Sequence, residues 1–183
     1  ITNIGGVQAM WSAMSLAPEI ENTDLSRIRV AATGAESVPE PMLKDWQQRG
    51  ILLQEVYGMT EAGGVICMAQ KADLPEHMGY AGRALPYGEL KVMTSETQEA
   101  TSGELGEIWM RGASVTPGYW NRPDATEETF VGDWLKSGDI GRKDETGRLS
   151  VEDRIKDMYI SGGENVYPAE IESILMAHPD IRE

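Results

Sequence analysis

The sequence predicts an α/β layer followed by a mostly β region, and three observations carry that class. Two apolar runs of β character lie near the amino end with one helix-length segment between them. Each run is followed by a short loop rich in glycine or polar residues. Beyond Gly79 the pattern changes to short runs broken by Gly, Pro and acidic turns.

Residues 5–16 read as a helix, with Trp11, Met10 and Met14 at helical spacing and expected in the core. Residues 28–33 and 51–56 are the strand candidates. Residues 39–49 between them read as a helix stopped by Gly50. A right-handed crossover makes such strands parallel, so the loops Gly34-Ala35-Glu36 and Tyr57-Gly58-Met59-Thr60-Glu61 should lie side by side. That is the edge where open α/β sheets bind ligands. Further on, 89–93 and 107–111 read as paired strands, and Asp144-Glu145-Thr146-Gly147 as a hairpin turn between 139–142 and 148–151. Residues 158–160 form a short strand candidate. Pro168 then opens a helix with Ile171, Ile174 and Leu175 on an apolar stripe expected to be core, and Glu170 and Glu172 near its amino end.

Charge excludes some functions. With 16 basic against 30 acidic residues, the net charge of −14 opposes nucleic acid and anionic membrane surfaces as primary partners. No apolar stretch reaches the roughly 18 residues of a bilayer span. The single cysteine, Cys67, flanked by Val65, Ile66 and Met68, reads as a buried thiol of a reducing, cytoplasmic compartment. His77 and His178 lack ligand spacing to Cys67 or to each other, so no zinc site is expected.

The five-residue loop suits a nucleotide and its metal. Tyr57 offers a flat face to a base, Gly58 lets backbone approach, Thr60 can donate to a phosphate oxygen, and Glu61 can hold magnesium. By itself the segment also reads as an ordinary turn. Asp139 after Ser137-Gly138 reads locally as a turn former, Arg154 as a solvated charge, and Lys156 as an inert linker residue.

Taken together with Lys136-Ser137-Gly138-Asp139-Ile140-Gly141, Asp153-Arg154-Ile155-Lys156-Asp157-Met158 and Ser161-Gly162-Gly163-Glu164-Asn165-Val166-Tyr167-Pro168, the loop resembles the adenylate-forming enzymes. The run from Gly162 to Glu172 and Pro117-Gly118-Tyr119-Trp120-Asn121 are most similar to bacterial fatty-acyl-CoA synthetases. The resemblance spans essentially the whole chain. It implies part of an acetyl-CoA-synthetase-like fold: an α/β AMP-binding subdomain over 1–78, a distorted β-barrel over 79–153, and a hinge with the start of a small α+β lid domain over 154–183. It also implies a fragment, with a phosphate loop expected before Ile1 and an adenylation lysine after Glu183.

The same resemblance implies roles. Tyr57, Gly58, Met59 and the Gly34-Ala35-Glu36 backbone would hold adenine, and Asp139 the ribose hydroxyls. Arg154 would contact ribose or α-phosphate. Thr60 and Glu61 would serve the phosphates, Glu61 through magnesium. Lys156 would be the hinge, and Ser161, Gly162 and Gly163 would face the pantetheine tunnel. Part of the acyl pocket would lie near the helix at 5–16, residues 32–34 and Gly63-Gly64. The implied reaction uses ATP, magnesium and coenzyme A on a carboxylic acid, a fatty acid by resemblance. Two alternatives stay open: loading of a carrier protein, and an adenylate-binding module without catalysis. A homodimer is also left open.

Overall fold

The computed structural model describes residues 1–36, 38–162, 164–176, 178 and 181. The first unit is a five-stranded sheet in the order β1-β2-β3-β4-β5. Its strands are β1 (Asn3–Val7), β2 (Val30–Gly34), β3 (Gln54–Met59), β4 (Gly64–Met68) and β5 (Arg83–Ala84). Helix α1 (Gln8–Ser15) follows β1, and α2 (Glu40–Gln48) joins β2 to β3. The first three strands are parallel, with Gly34 beside Val56, so the expected crossover and shared edge are present. β4 and β5 run antiparallel to their neighbours.

Four expectations about this unit need correction. Residues 5–16 are not one helix, because Gly5, Gly6 and Val7 pair with Ala32, Thr33 and Gly34 as a strand. A Gly-Gly pair is a poor helix start, at about 1 kcal/mol per glycine against alanine. The strand expected at 51–56 begins three residues later: Ile51 and Leu53 are buried but lie before the ladder, and Tyr57, Gly58 and Met59 are strand rather than loop. The strand expected at 28–33 shifts likewise to Val30–Gly34. Met10 is 54% exposed, not core, because the neighbouring Trp11 takes the inward position.

The core of this unit gathers Trp11, Ala31, Leu43, Trp46, Ile51 and Leu53, with Met14 packed against it. Trp11 and Trp46 meet edge to face at 5.0 Å between centroids, worth roughly 1 kcal/mol beyond buried area. The Trp11 indole donates to the carbonyls of Gly6 at 3.2 Å and Ala32 at 3.1 Å, fixing α1 onto the sheet.

The second unit is a six-stranded sheet. It comprises β6 (Gly88–Ser95), β7 (Gln98–Glu99), β8 (Gly106–Gly112), β9 (Phe130–Val131), β10 (Trp134–Lys143) and β11 (Leu149–Arg154), with helix α3 (Pro123–Thr129) before β9. The expected pairing of 89–93 with 107–111 is present, Glu89 beside Arg111 and Met93 beside Glu107. So is the late hairpin: the Asp144 carboxylate accepts from the amides of Thr146 and Arg148, and Gly147 donates to the Asp144 carbonyl. The order β11-β10-β8-β6-β7 does not close on itself among the described residues. Its core of Val92, Ile108, Met110, Leu135 and Leu149 continues into β4 through Ile66 and Cys67.

The chain then enters a small hairpin, β12 (Tyr159–Ser161) and β13 (Glu164–Val166), followed by α4 (Pro168–Met176). The apolar stripe of α4 is not core: Ile171, Ile174 and Leu175 are 41%, 69% and 48% exposed, because no element among the described residues packs over them. No helix among those residues is long and apolar enough to cross a membrane.

Candidate active site

A cavity of about 480 Å³ opens where the carboxyl end of the parallel strands meets the β10–β11 hairpin. Small-molecule sites span roughly 300–1,000 Å³. The loop after β2 supplies Ala35 and Glu36, β3 supplies Glu55, Tyr57 and Gly58, and β10 supplies Asp139. Arg154 at the end of β11, Asp157 beyond it and Ala169 of α4 complete the rim.

Gly58 is where the sheet allows this. The β3–β4 register slips between Tyr57 and Gly58, and a Cβ on Gly58 would run into the Gly64 carbonyl. The slip lets Tyr57 reach across to the second sheet, where its hydroxyl donates to Asp139 Oδ2 at 2.7 Å. Burial pushes the Tyr57 phenol well up, and the Asp139 charge adds to this, so Tyr57 remains a donor at working pH. Asp139 and Arg154 are cross-strand partners, with Arg154 Nε 3.6 Å from Asp139 Oδ1. The Ile155 amide donates to the Gly138 carbonyl at 2.8 Å, which carries the chain past Asp139 toward α4.

Glu55 is the residue that sequence reasoning missed. It stands two positions before Tyr57 in β3, and both line the cavity. Burial raises its carboxyl from 4.5 to about 7, against the opposing pull of the Gly79 amide. Its Oε1 is buried and has no partner among the described residues. The period-2 signal that marks Glu55 was present, but ending the strand at Val56 concealed it. Asp153, named in the sequence only as part of a motif, has its carboxylate accepting from the Ala169 amide at 3.1 Å and so holds the start of α4 at the rim.

Of the residues singled out in the sequence, Ala35, Glu36, Tyr57, Gly58, Asp139 and Arg154 share the cavity. Gly34, Met59, Thr60 and Glu61 do not line it. Thr60 and Glu61 begin the 3-10 turn Thr60–Ala62 at the tip between β3 and β4. Glu61 Oε1 accepts the Tyr119 hydroxyl at 2.7 Å. Lys156 is exposed in the turn after β11, and Ser161 and Gly162 are exposed at the β12 end. Gly163 lies outside the described residues. No three His, Cys, Asp or Glu side chains gather as a metal site among the described residues.

The cavity is therefore acidic, with part of that charge compensated. Asp139 meets Tyr57 and Arg154, and Glu152 meets Arg142 at 2.9 Å and Ser150 at 2.9 Å. Such walls favour neutral hydrogen-bonding groups such as a base edge and sugar hydroxyls, and push a polyphosphate outward.

Residues 1–120 match the AMP-binding enzyme family. The chain belongs to that family. The chain is 38% identical to indoleacetate–CoA ligase of Aromatoleum aromaticum over 177 residues, which is 97% of the chain and 35% of the relative. It is 37% identical to a long-chain-fatty-acid–CoA ligase of Escherichia coli O157:H7 over 183 residues, 100% of the chain and 32% of the relative. Among solved structures it superposes on O-succinylbenzoate coenzyme A synthetase of Bacillus subtilis in complex with ATP and magnesium ion. The TM-score is 0.89 at 37% identity, covering 100% of the chain and 38% of that protein. The chain thus spans about a third of the length of the curated relatives it matches.

Proposed function

We propose that this chain is the nucleotide-holding middle of an ATP-dependent acid–CoA ligase. A substrate carboxylate attacks the α-phosphorus of ATP, giving acyl-adenylate and releasing pyrophosphate. The coenzyme A thiolate then attacks the acyl carbon, giving the thioester and releasing AMP. The reading is carried by Tyr57 and Asp139, joined at 2.7 Å on the wall of one cavity with Arg154 beside them.

In this reading adenine lies against the Tyr57 face. Glu55 lines the same wall two positions before Tyr57, where its carboxyl group accepts the exocyclic amine, a donor that adenine has and a guanine edge lacks there. Asp139, with two acceptor oxygens, takes the ribose hydroxyls, and Arg154 faces the α-phosphate side. The acidic cavity sends the phosphates toward Thr60 and Glu61. Magnesium fits there as an ion shared with the nucleotide, since it is commonly held by one or two carboxylates plus substrate phosphates and water. When bound it supplies charge neutralisation at the phosphate oxygens. Thr60 adds a hydroxyl donor, and the protein's other task is alignment of the attack.

We assign 1–78 and 79–153 to the two sides of this site, and 154–183 to the start of a lid that turns at Lys156 and presents Ser161, Gly162 and Gly163 to pantetheine. Free coenzyme A is the acceptor, a choice supported by the names of the relatives. The acid is a fatty acid, supported by 37% identity to a long-chain-fatty-acid–CoA ligase over all 183 residues of the chain, with an aryl acid as the competitor. We place the protein in the cytoplasm.

Calorimetry of the chain with AMP tests the nucleotide half; saturable binding of AMP over GMP is expected, and no binding overturns it. In the full-length protein, ATP and acid offered with either coenzyme A or a carrier protein test the acceptor. Hexadecanoate against an aryl acid tests the substrate class.

A further inference from the structure

Tyr119 stands outside the cavity, yet it reaches the carboxylate assigned to the metal. The stretch from Ser114 to Tyr119, just after β8, folds back over the 3-10 turn Thr60–Ala62 and is held there at several points. The Thr116 amide donates to the Glu61 carbonyl at 2.7 Å. The Thr116 hydroxyl donates to the Gly118 carbonyl at 3.1 Å, and the Tyr119 amide donates to Thr126 Oγ1 at 2.9 Å. Gly63, at φ +76°, admits the strap: a Cβ there would stand 2.9 Å from the Ser114 carbonyl oxygen. On this anchored backbone the Tyr119 hydroxyl donates to Glu61 Oε1 at 2.7 Å.

We infer that Tyr119 is a positioning residue for the metal-binding carboxylate of Glu61, fixing Oε1 by a hydrogen bond so that Oε2 is presented to the magnesium of a bound nucleoside triphosphate. The inference rests on the proposed function. A free glutamate at a hairpin tip samples many rotamers and loses that freedom when it captures an ion. The phenol removes much of this loss beforehand, and hydrogen-bonded partners of ligating groups typically change metal affinity 10–100-fold when removed. The hydroxyl is not what holds the strap, because the Thr116 and Thr126 bonds use other atoms. Tyr119→Phe therefore deletes the orienting contact and leaves the backbone path intact.

The test titrates the full-length protein with Mn²⁺ in the presence of ATP, read by water-proton relaxation, alongside AMP binding without metal. For Tyr119→Phe, about tenfold weaker Mn²⁺ half-saturation with unchanged AMP affinity is expected. In the Glu61→Gln background the same substitution should have no further effect, since its target is gone. Unchanged or tighter Mn²⁺ binding by Tyr119→Phe overturns the inference while leaving the nucleotide reading standing. Loss of AMP affinity in parallel with metal affinity assigns Tyr119 a structural role only and also overturns it. If the unsubstituted full-length protein shows no metal-dependent ATP binding, the functional reading fails, and this inference with it.

Discussion

Tyr57 and Asp139 lie 82 positions apart in the chain, on different sheets, and are joined by a 2.7 Å hydrogen bond. A phenol donating to a carboxylate is a charge-assisted contact, typically worth about 1.5–3 kcal/mol when neither partner is fully solvated. Asp139→Asn should weaken AMP binding by about tenfold or more. It should also reduce the preference for AMP over 2′,3′-dideoxy-AMP, since the amide keeps only one of the two acceptor oxygens and carries no charge. Calorimetry with both nucleotides checks this; a preference unchanged in Asp139→Asn places the ribose elsewhere.

Glu55 makes stability depend on pH. Its carboxyl is raised to about 7 in the fold from 4.5. Between those values the folded state binds more protons than the unfolded chain, so stability falls as pH rises from about 4.5 to 7 and the penalty persists above 7. Below 4.5 the residue contributes nothing. Chemical denaturation of the parent and of Glu55→Gln at pH 5 and pH 8 should show the variant losing less stability between them.

Gly58→Ala should destabilise by about 3 kcal/mol, the upper part of the overpacking range, because the new methyl meets the rigid Gly64 carbonyl. A urea midpoint unchanged by this substitution would contradict the strand register.

Asp153→Ala removes the acceptor for the Ala169 amide at the start of α4. Loss of such a cap costs about 1 kcal/mol. Hydrogen exchange at Ala169 should quicken about fivefold while the two sheets keep their protection.

Burial pushes the Cys67 thiol up to about 12, and its Sγ donates to the Ala81 carbonyl at 3.2 Å. Thiolate is the reactive form. A disulfide reagent at pH 8 should react with Cys67 only on the timescale of unfolding, and rapid labelling of the native chain would refute its buried state.

Legibility in the sequence followed the kind of force involved. Burial patterns revealed α2, the β6–β8 pairing and the late hairpin, since apolar periodicity and turn chemistry act locally. Ladder boundaries were less visible: Ile51 and Leu53 are buried, yet the ladder begins with Gln54, whose amide donates to the Ala69 carbonyl at 2.9 Å. Burial and backbone pairing are separate requirements, and hydropathy reports only the first. That Tyr57 and Asp139 serve one cleft was carried by family resemblance, and their direct hydrogen bond was not foreseen, since no local spacing encodes an 82-residue contact. Glu55 escaped because a charged residue inside a strand reads as a solvent position until the cavity behind it is seen.

Because Gly58 and Met59 are laddered to Val65 and Gly64, Thr60 and Glu61 ride on a braced corner rather than a slack connector. An incoming triphosphate would thus meet a mould already set, and the chain would surrender little configurational freedom there on capture.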